Sequence, residues 1–186
     1  MSGISSVTVY CGSAPGSDPS YIKLAQKLGK AIAARGWRTV YGGGNVGLMG
    51  AVATSARDSG GKVLGVMPHF LRELEGVLDG IENRYTDNMH QRKQALLDEA
   101  DGLIVLPGGI GTLEEAVETL SWAKLSLHSK PMAFLSENNY WRPYFTLVDH
   151  MIDGGFLPES FRQLMADTST PEAALEALHQ RAIVLG

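Results

Sequence analysis

Short apolar, β-branched runs alternate along the chain with longer stretches of helical period. Val7-Thr8-Val9-Tyr10 predicts a first strand, followed by a loop from Gly12 to Pro19. Asp18 and Pro19 read as helix N-cap and first helical residue, and Gly36 as the stop. Between them Ile22, Leu24, Ala25, Leu28, Ala31 and Ile32 recur at helical spacing. Arg38 to Tyr41 predicts a second strand, with a helix from about Gly47 to Ser59. Lys62 to Met67 reads as a third strand, ended by Pro68. Residues 70–87 carry a weaker pattern, with a short strand near Arg84-Tyr85. A helix from about Asn88 to Ala100, a near-continuous apolar strand from Gly102 to Leu106 and a helix from Thr112 to about Leu127 follow. Met132 to Leu135 predicts a further strand, and two helical stretches, roughly 140–153 and 171–182, finish the chain.

Strands alternating with helices imply an α/β class, with parallel strands covered by helices on both faces. In such sheets ligands bind beyond the carboxyl ends of the strands, near the point where the strand order reverses. Three glycine-bearing loops leave predicted strand ends: Cys11-Gly12-Ser13, Gly42 to Gly47, and Pro107 to Gly111. With 186 residues and no repeat, low-complexity tract or linker, the chain reads as a single domain, 1–186.

Composition narrows the setting. Hydrophobic residues at 44% and charged residues at 19% describe an ordinary globular protein. A net charge of −4 argues against a general nucleic-acid partner, because a phosphate backbone demands a basic face. One cysteine, Cys11, cannot form an intrachain disulfide and fits a reducing compartment. The start, Met1 to Ser6, lacks a basic and a long apolar region, and no apolar run approaches the ~18 residues of a membrane span. A cytoplasmic protein without membrane contact is the expectation. Glycine is the outlier, at 22 residues, and it is clustered at Gly42, Gly43, Gly44, Gly47 and Gly50, and again at Gly108, Gly109 and Gly111. Such clusters mark backbone that turns tightly or comes close to a ligand.

Gly42, Gly44 and Gly47 form a G-x-G-x-x-G pattern, which in isolation suggests a dinucleotide fold. It follows the second strand, however, and the next strand runs into Pro68-His69 with no acid for a ribose. No Walker loop is present, since neither cluster is followed by Lys-Ser or Lys-Thr. Pro107 to Glu115 is more specific: a buried strand ends, glycines open the backbone, and a helix start offers free N–H groups to a phosphate. Thr112 can add a hydroxyl. The same stretch also reads as a capping box, Thr112-x-x-Glu115, serving only the helix. Both readings stand at this point. Arg92 shares a helix face with Met89 and Leu96, so it needs an anion or carboxylate partner, or a path by which its stem snorkels to solvent.

Other candidates are weak. Cys11 reads as a buried strand residue rather than a nucleophile. The five histidines show no paired spacing for a metal, no G-x-S-x-G elbow exists, and Trp122 and Trp141 read as core or interface aromatics. Neither a metal nor a cofactor is expected.

Taken in order, Tyr41 to Gly50, Met89-His90-Gln91-Arg92-Lys93 and Pro107 to Glu115 resemble the Lonely Guy family of cytokinin riboside 5′-monophosphate phosphoribohydrolases. The resemblance covers nearly the whole chain. It implies a Rossmann-like fold, a homodimer, and AMP or a prenylated AMP as ligand. It implies Arg92 and Glu115 as the catalytic pair, with Ser13, Gly43, Gly44, Gly47, Met89, Gly108, Gly109, Gly111 and Thr112 holding the nucleotide. Family members often carry Asp before the Met-His pair; here Asn88 stands there. Such proteins have been labelled lysine decarboxylases, but the chain shows no recognisable pyridoxal-phosphate lysine site.

The residues allow a scheme in which a 5′-phosphate sits at the helix beginning at Thr112 and the ribose lies over its first turn. Glu115 then serves the cationic C1′ or the attacking water, and Arg92 orients it. Two other functions compete. One is a broader purine or pyrimidine monophosphate nucleosidase. The other is a binding protein, such as a molybdenum-cofactor carrier or a single-strand DNA protein. Net acidity speaks against DNA, and a carrier has no need of the Arg92 and Glu115 pair.

Overall fold

The computed structural model describes residues 3–185; Met1 and Ser2, part of the N-terminal stretch read above, lie outside the described residues. Seven strands form one parallel sheet: β1 (Ser6–Tyr10), β2 (Arg38–Tyr41), β3 (Val63–Pro68), β4 (Glu82–Thr86), β5 (Gly102–Val105), β6 (Met132–Leu135) and β7 (Met165–Thr168). Their order across the sheet is β4-β3-β2-β1-β5-β6-β7. The helices are α1 (Pro19–Ala34), α2 (Gly47–Asp58), a single turn α3 (Arg72–Glu75), α4 (Met89–Asp98), α5 (Ile110–Lys124), α6 (Arg142–Asp153) and α7 (Pro171–Leu185).

Period-2 alternation along the strands feeds two cores. In β5, Leu103 and Val105 face α4, α5 and α6, whereas Ile104 and the following Leu106 face α1, α2 and α7. Both faces are covered, which is why these strands read as continuous apolar runs. The doubly wound parallel sheet expected from the alternation is therefore the architecture observed. No helix among the described residues is long and apolar enough to cross a membrane.

Several local signals act as read. Asp18 caps α1 by accepting from Ser20 N at 2.8 Å, and Gly36 leaves the helix at φ +70°. Three details differ. β4 spans five residues, supported by its pairing along β3 rather than by its own exposed side chains. β7 lies where no strand was expected: four edge residues with one alternation of burial give almost no periodic signal. Helix α5 starts at Ile110, not Thr112, with Gly109 as its N-cap.

The order reverses between β1 and β5, because β1 leads to β2 on one side and β5 to β6 on the other. The two loops leaving these strands are in contact: Leu106 N donates to Tyr10 O at 2.9 Å and Gly12 N to Pro107 O at 3.1 Å. The Gly12 carbonyl in turn accepts from Leu48 N at 3.0 Å, tying the β1 loop to the start of α2. All three glycine loops meet at this end of the sheet.

Helices α1 and α2 approach closely at the buried Gly29, where an added Cβ would lie 2.4 Å from Val52 O and 2.9 Å from Ala56 N. Alanine normally gains about 1 kcal/mol over glycine inside a helix. Here it meets rigid backbone, and overpacking of this kind costs roughly 1–3 kcal/mol. Gly29→Ala is expected to lower the urea midpoint; a raised midpoint would show that the two helices separate freely.

Candidate active site

Arg92 projects from α4 toward the carboxyl ends of β2 and β3. It is 7% exposed, so its stem does not snorkel to solvent. Nε donates to Val66 O at 3.2 Å, Nη2 to Gly42 O at 3.3 Å and Nη1 to Glu115 Oε1 at 3.2 Å. The carboxylate partner demanded by an inward-facing arginine is thus Glu115, itself 9% exposed on α5. Gly42 is required by this arrangement: a Cβ there would fall 2.1 Å from Arg92 Nη2.

Burial pushes the Glu115 carboxyl up to about 7; Arg92 pulls against this, and the charges of Glu114 and Glu75 reinforce it. A group poised there exchanges protons near neutral pH. Beside the pair, Lys93 Nζ bonds Glu114 at 2.6 Å and Glu118 at 3.0 Å, clamping α4 to α5. Deeper in, Thr119 Oγ1 donates to Glu115 O at 2.8 Å and lies 3.1 Å from the Tyr10 hydroxyl.

The capping-box reading of Thr112-x-x-Glu115 does not hold. Gly109 makes no side-chain cap bond, Thr112 lies inside the first turn, and the Glu115 side chain points to Arg92 instead. The N–H groups of Ile110, Gly111 and Thr112 are therefore left without a side-chain cap at the positive end of α5. A Cβ at Gly109 or Gly111 would meet nothing within 4 Å, so space lies open beside this helix start. Gly108 is different: a Cβ there would strike the Thr112 hydroxyl at 2.1 Å. Thr112 itself is 4% exposed, tucked under that glycine.

The remaining predicted residues gather at the same end. Gly47, at φ +55°, lets the start of α2 touch the Ser13 carbonyl; a Cβ would come within 2.4 Å of it. Gly43, at φ +86°, and Gly44 follow β2, and Met89 is the part-exposed first residue of α4. Asn88, standing where the family often has Asp, caps α4 by accepting from Gln91 N at 2.9 Å, while Asp87 N donates to Gln91 Oε1 at 2.9 Å. Cys11 is buried as expected, and burial pushes its thiol well above the usual range. Trp141 is core, packed edge-on against Phe134, rather than an interface residue.

Two residues at the site went unforeseen. The Tyr140 hydroxyl donates to Gly108 O at 2.6 Å, anchoring the loop before α5 from beyond β6. Glu75, at the end of α3, lies against Gly44. Neither belongs to a motif, and only the return of the chain brings them here. Two hollows, of 710 and 1020 Å³, lie at the amino ends of the strands and contain none of these groups. Chemistry, not volume, marks the carboxyl-end cleft.

A doubly wound parallel sheet with an uncapped helix start and a buried guanidinium–carboxylate pair at its switch point defines a Rossmann-like α/β protein. A family model described as "Possible lysine decarboxylase" matches residues 49–178. A cytokinin riboside 5′-monophosphate phosphoribohydrolase from Rhodococcoides fascians is 42% identical over 175 residues, 93% of this chain and 88% of the relative. The enzyme of the same name from Oryza sativa subsp. japonica is 42% identical over 166 residues, 88% of this chain and 68% of that one. The chain belongs to this family, the Lonely Guy family. Among solved structures, a molybdenum cofactor carrier protein from Chlamydomonas reinhardtii superposes with a TM-score of 0.71 at 23% identity, over 96% of this chain and 98% of that one. That likeness is one of fold.

The raised Glu115 carboxyl has a consequence for stability. Its folded pKa, about 7, exceeds the ordinary 4.5, so the folded protein holds a proton that the unfolded chain has released between these values. Stability from this group is complete below about pH 4.5 and is lost as pH rises through 7. Relative to Glu115→Gln, which does not titrate, wild type is expected to lose on the order of 1–3 kcal/mol between pH 4.5 and 8. Urea unfolding of both proteins across that range reads the difference directly; a constant difference would mean Glu115 is ionised throughout.

Proposed function

We propose that the protein hydrolyses the N-glycosidic bond of an adenosine 5′-monophosphate, including N6-prenylated forms, to free base and ribose 5-phosphate. The observation that carries this reading is the buried Arg92–Glu115 pair set one turn behind an uncapped, open helix start. Glu115 lies five residues after Ile110, roughly 7.5 Å along the helix axis. A 5′-phosphate on the N–H groups of Ile110, Gly111 and Thr112 leaves the ribose over the first turn and C1′ toward Glu115. The names of the curated relatives supply the substrate class.

In this scheme the C1′–N bond breaks as positive charge develops on C1′ and O4′. The Glu115 carboxylate faces that charge and takes a proton from the water that adds to C1′. The departing base carries away the bonding pair and takes a proton from solvent, and Glu115 returns the proton it took from water to solvent. Arg92 fixes the carboxylate in place through Nη1 while its other donors are held by Gly42 and Val66 carbonyls. Among the described residues no three His, Cys, Asp or Glu side chains form a metal-binding group.

Base release is therefore expected from AMP or its N6-isopentenyl form in the presence of chelator, and far more slowly from the corresponding nucleoside. Glu115→Gln should lower turnover by roughly 10²–10⁴, the usual worth of a positioned base. Glu114→Gln, whose carboxylate bonds Lys93 at the surface, should have the smaller kinetic effect. Chromatography of released base measures all four; a Glu115→Gln enzyme with more than a tenth of wild-type turnover would sink the assignment.

The reading includes a homodimer in the cytoplasm. Exposed apolar side chains on and after α5 (Ile110, Val117, Leu125 and Leu127) support a partner against that helix, and the single buried thiol suits a reducing compartment. Light scattering should give twice the chain's 20.0 kDa; the monomer mass at micromolar concentration would remove the dimer.

A further inference from the structure

Glu75 presents a carboxylate that the fold does not use. Its Oε2 is buried with no hydrogen-bond partner, and among the described residues no hydrogen bond or ion pair reaches either oxygen. Side chains of this kind normally find a donor, because an unpaired buried carboxylate oxygen is costly. Glu75 is held where it is by its backbone: its carbonyl accepts from Asn45 N at 2.9 Å, pinning α3 to the loop after β2. A Cβ built on Gly44 would lie 3.0 Å from Glu75 Oε2 and 3.3 Å from its Cβ, so the carboxylate stands against the bare glycine backbone. It lies close enough to the reaction centre for its charge to act on Glu115.

The strand order gives this position a meaning. The open helix start follows β5, the Arg92–Glu115 pair sits over the middle of the sheet with Arg92 bonded to the ends of β2 and β3, and Glu75 stands beyond the β2 loop. From β5 through β1 to β2, whose following loop carries Gly44 and Asn45, is two strand spacings, roughly 10 Å. That is the reach of a nucleotide from phosphate to the far edge of its base. An anionic side chain at the end away from the phosphate site is suited to an N–H donor.

We infer that Glu75 is a specificity-determining residue that accepts a hydrogen bond from the exocyclic N6–H of the adenine base. The inference rests on the nucleotide reading above. N6-prenylated adenine retains one N6–H, so both plain and prenylated bases satisfy it. A 6-oxo purine presents a carbonyl oxygen at the same place, and two acceptors facing each other repel. Glutamine at position 75 keeps an acceptor but adds an N–H₂ group, which can donate to a 6-oxo oxygen.

The test compares wild type with Glu75→Gln for equilibrium binding and for base release, using AMP and IMP. Wild type should favour AMP over IMP by roughly ten- to hundredfold, the worth of one hydrogen bond to a charged group. Glu75→Gln should collapse or invert that ratio through KM and Kd. An unchanged AMP-to-IMP ratio in the variant overturns the inference, as does a wild type that does not discriminate. The binding arm separates this inference from the hydrolase reading: discrimination that shifts in the variant, without base release by wild type, removes the hydrolase and leaves Glu75 as the base reader. If neither nucleotide binds wild type, both fall. Thermal melting of the variant, expected to match wild type because no internal bond is lost, guards against a folding defect; should it fail to fold, Glu75→Asp serves in the same comparison, with its shorter carboxylate expected to weaken AMP binding and leave IMP binding unchanged.

Discussion

Burying the guanidinium of Arg92 against the carboxyl of Glu115 is the constraint around which the rest of this end of the molecule is arranged. Removing such charges from water costs several kcal/mol per ion, offset only where geometry is good and the remaining donors are satisfied. The protein meets that condition with main chain. Val66 and Gly42 offer their carbonyls to Nε and Nη2, so the second half of β3 and the first loop residue after β2 must both present carbonyls to Arg92. Gly42 has to lack a side chain for the guanidinium to lie there. Lys93 then locks α4 to α5 from outside through Glu114 and Glu118.

The same demand explains why the carboxyl is not simply a partner in an ion pair. An arginine shared among two carbonyls and one carboxylate leaves Glu115 short of full compensation, and burial wins, lifting it to about 7. Carboxyls perturbed in this way cluster at functional sites, and Glu115 is the base of the hydrolysis proposed above. The glycine loops serve the arrangement in two ways. A Cβ at Gly42, Gly47 or Gly108 would strike neighbouring atoms, whereas one at Gly109 or Gly111 would meet nothing within 4 Å. The first set lets the loops pack into one another, and the second leaves space open beside the start of α5.

Likeness of fold and likeness of chemistry part company here. The molybdenum cofactor carrier shares the sheet at 23% identity, while the phosphoribohydrolases share the chain at about 40%. A doubly wound sheet offers the same switch-point cleft to many ligands, and function lies in the groups set around it.

Local patterning along the chain determined a great deal. The apolar runs of β1, β2, β3, β5 and β6, the Asp18-Pro19 start of α1 and the alternation of strand with helix follow from period and capping chemistry alone, because those signals act within a few residues. The inward face of Arg92 was legible too, and with it the need for a partner. Which partner was not. Thr112 to Glu115 supports a capping box or a catalytic carboxylate equally well as sequence, and the capping box fell only when α5 began at Ile110 and turned Glu115 toward α4. The edge strand β7, the Tyr140 anchor on Gly108 and the idle carboxylate of Glu75 were likewise settled by tertiary structure. Each depends on a contact between residues far apart in the chain, and periodicity within a segment carries no information about what the returning chain will place beside it.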